Sequence, residues 1–358
     1  MEMNRLQQVE VVEGEFVDVG PSTELEFYVS GEDLPEEDGK RALAVVHAPT
    51  VEEILEAFKR WMRLDVAEGC ASEQTLRAYF SDTRQHLEWL AGLGLAPAQA
   101  GEEDLKEYRA WLIEQEYAVS TVGRKLASVR RFYGMAQARG AIGQNPAQGL
   151  KAPRDKTEQY ERVKYLTMEM VRLVLAAPDR NTPKGMRDRT ILMLMALHGL
   201  RVIEVHRLDL EDIDPEAGEA GTLRVLGKGN KHRTILLTEE TREVLKVWLA
   251  ARALMRSGSA AIFLTMHWGA AEPGQRISTR GIRAMVNGYL TGVGAKREGI
   301  SCHALRHSFA TLSLAVGGDL LAISGALGHA SVTTTQVYAK IVDKAKNNPA
   351  KLLVGLLD

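Results

Sequence analysis

Four short stretches of the sequence carry side chains that could act on a phosphate group. The turn at Gly227–Asn230 lies between two strand-like runs, so its glycines and asparagine predict a β-hairpin with Lys228 at the tip. In the segment HALR, a spacing of three residues places His303 and Arg306 on one helix face. Arginine holds phosphate oxygens in a bidentate way, and histidine exchanges protons near neutral pH. Taken alone, the first stretch could be a solvated basic turn, and the second could be a pair of surface residues.

The other two stretches supply an arginine and a tyrosine. Arg201 follows the apolar run TILMLMAL and precedes Glu204 by three residues, so the carboxylate could orient it. His329 follows Gly328 in a predicted turn, and Tyr338 lies two turns into the next helix. Tyrosine becomes a nucleophile when cations stabilise its phenolate and a base accepts its proton. Taken alone, Arg201 and Glu204 could form a structural ion pair, and Tyr338 could simply pack in the core. The prediction of phosphate chemistry therefore depends on all four stretches together.

The elements that position these residues are predicted to be mainly helices. The N-terminal half of the sequence predicts four helices between residues 50 and 140. Thr50 and Glu53 form a capping-box pattern at the first helix, and Gly140 is a typical end for the fourth. The pattern predicts a compact all-α domain. The fourth helix carries basic residues that form either a solvated face or a phosphate-binding surface: Arg124, Lys125, Arg130 and Arg131.

The C-terminal half has a mixed pattern. The segment NPAQGLKAPRDKTEQYERVKY, with two prolines and mixed charges, predicts an interdomain linker at residues 151–163. Helices are predicted at about 168–176 and 186–198, followed by the strand-like runs GTLRVL, HRTILL and AIFLT and by further helices. The predicted fold class is therefore mainly α with a small antiparallel β-sheet.

The distribution of charge favours a polyanionic partner for most of the chain. The first 40 residues hold twelve acids and two bases, whereas the rest holds 43 bases and 35 acids. Residues 1–45 therefore predict an acidic, flexible extension, in which an alternation near Val11–Val19 hints at a strand. Two cysteines exclude a disulfide framework and a four-cysteine zinc site. With no signal pattern and no long apolar run, the sequence predicts a cytoplasmic protein without a membrane partner.

The four stretches, taken in order, resemble the motifs of the tyrosine recombinases, the family of Xer proteins and phage integrases. The matching blocks are HGLRVIEVHRLDLEDID, VLGKGNKHRTILL, HALRHSFAT and ALGHASVTTTQVY. Two earlier blocks, SEQTLRAYFSDTRQHLEWL and STVGRKLASVRRFYGMAQARG, resemble the family's core-binding domain. The resemblance extends from about residue 50 to residue 345.

This resemblance implies that Tyr338 attacks a DNA phosphate, forming a 3′-phosphotyrosyl bond and releasing a 5′-hydroxyl. Arg201 and Arg306 resemble the arginine pair that clamps the scissile phosphate. Glu204 resembles an acidic residue that supports the first arginine.

The remaining catalytic positions are also filled with residues typical of the family. Lys228 resembles the hairpin lysine that protonates the leaving 5′-oxygen, His303 resembles a histidine that assists proton transfer, and His329 resembles a residue that hydrogen-bonds the phosphate. Neither a metal nor a cofactor is implied, because cationic side chains supply the charge stabilisation.

The resemblance also implies an architecture. An all-α core-binding domain at 46–150 and an α+β catalytic domain at 164–345 would form a C-shaped clamp around double-stranded DNA. The family works as a homotetramer on two DNA sites, sometimes with an accessory protein, and the tail 346–358 would pack on a neighbouring protomer or on its own domain. A type IB topoisomerase, a hairpin-telomere resolvase and a non-catalytic DNA-binding regulator are the alternatives. The acidic extension departs from the compact Xer pattern and favours a mobile-element enzyme.

Overall fold

The chain folds as two units, Met1–Asp155 and Lys156–Asp358, so the division falls inside the segment predicted as a linker. The computed structural model describes residues 26–29, 44–47, 50–65, 71–227, 231–266, 274–329 and 331–347. The predicted strand at Val11–Val19, the hairpin lysine Lys228 and the tail from residue 348 lie outside these ranges. None of the described helices is long and apolar enough to cross a bilayer.

The first unit contains the four predicted helices and a short strand pair. Strand β1 (Glu26–Val29) pairs antiparallel with β2 (Ala44–His47). The helices are α1 (Val51–Asp65), α2 (Glu73–Gly92), α3 (Glu102–Glu114) and α4 (Val119–Ala138). The capping box at α1 is confirmed, since the Thr50 N–H donates to Glu53 Oε2 at 2.8 Å and the Glu53 N–H donates to Thr50 Oγ1 at 3.3 Å.

One buried carboxylate, Asp82 on α2, engages two of the basic residues of α4. Arg124 and Lys125 both form ion pairs with Asp82, the lysine at 3.3 Å, and Lys125 also hydrogen-bonds Gln85. Lys125 is only 7% exposed. Neither a solvated face nor a phosphate-binding surface describes this lysine, because a buried carboxylate requires a compensating charge and takes it from the facing helix.

The other two basic residues of α4 differ from each other. Arg130 donates from Nε to the Ala147 carbonyl at 3.2 Å and from Nη2 to the Leu150 carbonyl at 2.6 Å, so it fixes the chain that follows α4. Arg131 is exposed. The four residues therefore do not form a single surface.

The second unit is mainly helical with a small sheet. Its helices are α5 (Met168–Ala176), α6 (Pro183–Leu197), α7 (Val202–Arg207), α8 (Glu239–Leu254), α9 (Thr279–Gly292), α10 (His303–Ala315), α11 (Leu320–Leu327) and α12 (Thr333–Lys346). Its three strands, β3 (Ile213–Asp214), β4 (Thr222–Leu226) and β5 (His232–Leu236), form an antiparallel sheet in that order. Helix α6 begins three residues before its predicted start, because the Thr182 hydroxyl caps it and Pro183 suits the first helical position.

The predicted strand AIFLT is wrong as a regular strand. This segment makes only isolated bridges, at Ala261 and at Leu264. Some of its backbone groups bond to other backbone groups: the Ile262 N–H donates to the Leu208 carbonyl and the Phe263 carbonyl accepts from the Ile277 N–H, each at 3.0 Å. Side chains take other carbonyls: the Trp248 indole donates to Ile262 at 3.0 Å, and Arg187 donates to Leu264 at 2.7 Å. The buried segment therefore satisfies its backbone partly through other backbone groups and partly through side chains, without forming a continuous ladder.

A glycine between α6 and α7 brings the elements of the site together. Gly199 has a φ of +68°, and an added Cβ would lie 2.6 Å from Phe309 Cδ1 and 2.9 Å from Leu327 Cδ2. Phe309 belongs to α10 and Leu327 ends α11. Only glycine allows this close approach, which places the start of α7 beside the end of α11.

Candidate active site around Glu204 and Tyr338

The carboxylate of Glu204 is the centre of an arginine cluster. It is 1% exposed. Oε1 accepts from Arg201 Nη1 and from Arg233 Nη1, each at 2.9 Å, and Oε2 accepts from Arg233 Nη2 at 2.9 Å and from the Arg201 N–H at 2.8 Å. Burial acts to raise the pKa of Glu204, but the hydrogen bonds and positive charges outweigh it and bring the pKa below its usual value. The carboxylate is therefore ionised at neutral pH.

A third arginine, Arg306 on α10, joins the cluster. Its Nη1 lies 4.0 Å from Glu204 Oε2 and also donates to the Gly199 carbonyl. Burial, together with the positive charge of Arg201, lowers the pKa of Arg306 to about 9. That value leaves the guanidinium charged at neutral pH. Three guanidinium groups thus contact one carboxylate, and this excess of positive charge favours an anionic ligand.

The C-terminal end of α11 orients the same arginines. The Leu327 carbonyl accepts from Arg306 Nη2 at 2.6 Å and from Arg201 Nη1 at 3.3 Å, while the Ala326 carbonyl accepts from Arg233 Nε at 2.9 Å. The last carbonyls of a helix have no intrahelical partner and carry the negative end of its dipole. The helix end therefore both satisfies its own carbonyls and holds the three side chains in place.

Tyr338, on α12, is buried beside this cluster. Its side chain packs with Phe309, Leu327 and neighbouring apolar residues, and it is 5% exposed. Its hydroxyl lies 2.9 Å from Nδ1 of His307. Burial raises the pKa of Tyr338, and the positive charges of Arg306 and Arg201 act in the opposite direction. Burial outweighs these charges, so the pKa of Tyr338 lies above its ordinary value and the hydroxyl is protonated in the free protein. A nearby base and nearby cations are the groups that a tyrosine nucleophile requires.

The two histidines predicted for the site occupy different surroundings. His303 is exposed at the start of α10, with Nδ1 3.5 Å from Cys302 Sγ. Nδ1 of His329 lies 2.8 Å from Oγ1 of the buried Thr335. Burial and the nearby arginines lower the pKa of His329 to about 4. Partial desolvation by the surrounding groups, followed by the charges of Arg283 and Arg306, also lowers the pKa of His303. Both rings are therefore neutral at physiological pH.

The structure brings together most of the predicted residues and adds two that the sequence analysis missed. Arg201, Glu204, Arg306, His329 and Tyr338 lie around the end of α11, whereas Lys228 is outside the described residues. The missed residues are Arg233 and His307. Their signals in the sequence were weak: Arg233 lies among the basic residues after the hairpin turn, and His307 simply follows Arg306.

Among the described residues, no group of three or more His, Cys, Asp or Glu side chains could hold a metal ion. The positive charge around Glu204 is carried by the guanidinium groups of Arg201, Arg233 and Arg306.

Comparison with protein families identifies the chain. The model described as "Phage integrase family" matches residues 164–345, which is half of the chain, and the model described as "Phage integrase, N-terminal SAM-like domain" matches residues 58–140. The chain belongs to the phage integrase family. The resemblance found in the sequence is thereby confirmed.

Relatives within the phage integrase family define the type of enzyme. The tyrosine recombinase XerD of Xanthomonas axonopodis pv. citri (strain 306) is 33% identical over 303 residues, which are 82% of this chain and 93% of the relative. The tyrosine recombinase XerC of Pelobacter propionicus (strain DSM 2379 / NBRC 103807 / OttBd1) is 35% identical over 274 residues, which are 75% and 85%. The chain is a tyrosine recombinase, and its reaction is site-specific recombination by breaking and rejoining DNA.

Solved structures of other phage integrase family members show the same fold. The XerH recombinase in a post-cleavage complex with a palindromic difH substrate has a TM-score of 0.69 at 20% identity, covering 86% of this chain and 85% of that one. A lambda integrase dimer bound to a COC′ core site has a TM-score of 0.60 at 18% identity, covering 80% and 97%. The predicted fold class, mainly α with a small antiparallel sheet, is confirmed.

Proposed function

We propose that Tyr338 is the nucleophile of this recombinase. Its Oη bonds to the scissile phosphorus, the bond from phosphorus to O5′ breaks, and the products are a 3′-phosphotyrosyl link and a free 5′-hydroxyl. A 5′-hydroxyl from a second strand then reverses the step and expels the tyrosine. The observation that carries this proposal is the position of Tyr338, which is buried with its hydroxyl against α10, the helix that also carries Arg306.

Arg201 and Arg306 hold the scissile phosphate in this scheme. The Leu327 carbonyl accepts from both of them, so the two guanidinium groups are fixed relative to each other before DNA arrives. Arg201 keeps 31% of its side chain exposed, which leaves it accessible to a phosphate oxygen. Preorganised donors of this kind stabilise the charge that develops at phosphorus without having to reorganise.

The other predicted residues complete the proposed mechanism. His329 donates to a non-bridging oxygen, because Thr335 occupies Nδ1 and leaves Nε2 for the ligand. Lys228 protonates the leaving O5′, and His303 assists proton transfer, as the family resemblance implies. Glu204 positions Arg201 through its two hydrogen bonds. Since the arginines supply the charge stabilisation, the scheme requires neither a metal nor ATP.

Double-stranded DNA is the proposed partner of both units. The XerH and lambda integrase structures contain DNA, and another is described as a lambda integrase tetramer bound to a Holliday junction. By analogy, four copies of this chain would hold two DNA sites. On the first unit, the exposed Arg131 and the partly exposed Arg124 are the proposed phosphate contacts on α4. Such contacts position DNA without reading its sequence.

The test begins by finding where the enzyme cuts. The full chain is incubated with sheared genomic DNA of its source, SDS is added, and the DNA that stays attached to the protein is sequenced. Reproducible junctions are expected with the wild type, and none with Tyr338→Phe. An adduct that persists in Tyr338→Phe contradicts the assignment of the nucleophile.

A second experiment tests recombination itself. Two differently labelled duplexes that carry the recovered site are mixed with the enzyme, and joined products with both labels are scored. Strand exchange supports a recombinase. Cleavage and resealing within each duplex alone would favour topoisomerase-like chemistry.

A further inference from the structure

A histidine to which the proposed mechanism gives no role contacts the proposed nucleophile. His307 is partly buried on α10, and its Nδ1 lies 2.9 Å from the Tyr338 hydroxyl. The two ring centroids are 5.7 Å apart at an interplanar angle of 45°, which is not a stacked arrangement. Helices α10 and α12 pack directly on each other, so this contact is held by two rigid elements.

We propose that His307 accepts the hydroxyl proton of Tyr338 when the tyrosine attacks phosphorus. The proton moves from Oη to Nδ1 as the Oη–phosphorus bond forms. The electron pair of the breaking phosphorus–oxygen bond stays on O5′, which takes up a proton separately. No oxidation state changes. This inference rests on the proposed nucleophile and specifies where its proton goes.

Geometry favours His307 over His303 for this step. A general base must lie within hydrogen-bond reach of the proton that it removes. His307 meets this condition already in the free protein, whereas the His303 ring contacts Cys302 Sγ at 3.5 Å. If His307 Nδ1 accepts, the hydroxyl proton points toward α10, and the lone pairs of Oη are available to phosphorus.

The surroundings of His307 make proton transfer depend on bound DNA. Burial, followed by the charges of His303 and Arg306, lowers the pKa of His307 to about 4, so the ring is neutral and able to accept. The groups that face it are His303 and Arg306 on its own helix, Tyr338 on α12, and His329 in the preceding turn.

A phosphate bound at Arg201 and Arg306 counteracts part of this positive charge and makes His307 more basic. Because a phenol ordinarily has a pKa near ~10, the proton moves only as the bond to phosphorus forms. The free enzyme therefore keeps its tyrosine protonated.

Two substitutions separate proton transfer from simple positioning. His307→Ala removes both the hydrogen bond and the base, whereas His307→Asn keeps a polar group near the position of Nδ1 but cannot take up a proton. Single-turnover formation of the SDS-stable adduct is measured on a nicked duplex built from the recovered site. Both variants are expected to be ~10²–10⁴-fold slower, with unchanged DNA binding in a gel-shift assay. Added imidazole is expected to restore His307→Ala in part, more strongly as the pH rises through the pKa of free imidazole.

Other results would overturn the proposal. A His307→Asn variant within about twofold of the wild-type rate would make His307 a positioning residue only. A His307→Ala variant that cuts faster than wild type would mean that His307 restrains the tyrosine. His206→Ala is the matched control, because the Nδ1 of His206 contacts the Ile277 carbonyl at 2.7 Å, and this variant is expected to gain nothing from imidazole. If His307→Ala fails to fold, His307→Asn decides the question. Absence of adduct from the wild type would instead contradict the proposed function, which is a distinct result.

Discussion

Arg233 donates two hydrogen bonds to Glu204, from Nη1 to Oε1 and from Nη2 to Oε2, each 2.9 Å long. This bidentate pair joins strand β5, which follows the hairpin turn, to the carboxylate that orients Arg201. An added Cβ at Gly328 would lie 3.0 Å from the Arg233 side chain, so the arginine also packs against the residue before His329. One side chain thus connects the sheet, the arginine cluster and the turn that carries a candidate phosphate ligand.

Replacing Arg233 with lysine should impair cleavage more than binding. A single ammonium group cannot reproduce the two parallel bonds to Glu204, so Arg201 loses its fixed orientation. We expect adduct formation to slow by ~10²-fold, while DNA affinity changes little. Single-turnover rates and gel shifts measure the two effects. Arg224→Lys on β4 is the matched control, because Arg224 is exposed and contacts Asp212 through one bond of 3.2 Å. An equal loss in both variants would contradict this role for Arg233.

Glu204→Gln should destabilise the second unit in a pH-dependent way. The substitution leaves three arginines around a neutral amide and is expected to reduce the free energy of unfolding by about 3 kcal/mol at pH 7. The pKa of Glu204 lies below its ordinary value of 4.5, so its stabilising contribution is complete above that pH and is lost as the pH falls through the lowered value.

Urea unfolding at pH 7 and at pH 3 measures this dependence. The gap between wild type and Glu204→Gln is expected to narrow at the lower pH. Glu211→Gln, an exposed residue 3.8 Å from Arg224, should change stability little at either pH. A gap that stays constant with pH would contradict the assignment of an ionised Glu204.

The sequence predicted features that depend on neighbouring residues better than features that depend on contacts between distant residues. The capping box at Thr50, the hairpin strands and the fold class follow from local patterns, and the structure has them. The roles of Lys125 and His307 depend on partners 43 and 31 residues away, Asp82 and Tyr338, which no local pattern brings near. Residue types and family motifs predicted the arginines and the tyrosine. They did not reveal that the carbonyls of Ala326 and Leu327 orient the arginines, because backbone groups leave no trace in the sequence.

Gly199→Ala should destabilise the second unit and disturb its site. The new methyl group would meet Phe309 at 2.6 Å, and the φ of +68° is unfavourable for alanine. The Gly199 carbonyl also accepts from Arg306, so a shift of the backbone moves that arginine. We expect a loss of about 2–4 kcal/mol in the free energy of unfolding, together with slower cleavage. Gly292→Ala is the control, because nothing lies within 4 Å of an added Cβ there and its φ is ordinary. Similar unfolding midpoints for the two variants would contradict the steric argument.

The salt dependence of DNA binding should distinguish the exposed from the buried basic residues of α4. Each phosphate contact releases counterions, so log K falls as log salt rises. Removing one contact makes this negative slope shallower by ~0.9. Arg131→Ala is expected to make the slope shallower by about this amount, because Arg131 is exposed. Lys125→Met should leave the slope unchanged, since Asp82 and Gln85 already engage that lysine inside the first unit.

Fluorescence anisotropy of a labelled duplex between 50 and 200 mM salt provides the measurement, and circular dichroism confirms that both variants are folded. A slope that becomes shallower with Lys125→Met and not with Arg131→Ala would contradict this prediction. The buried lysine would then have to leave Asp82 to reach a phosphate, and the proposed contact at Arg131 would be wrong.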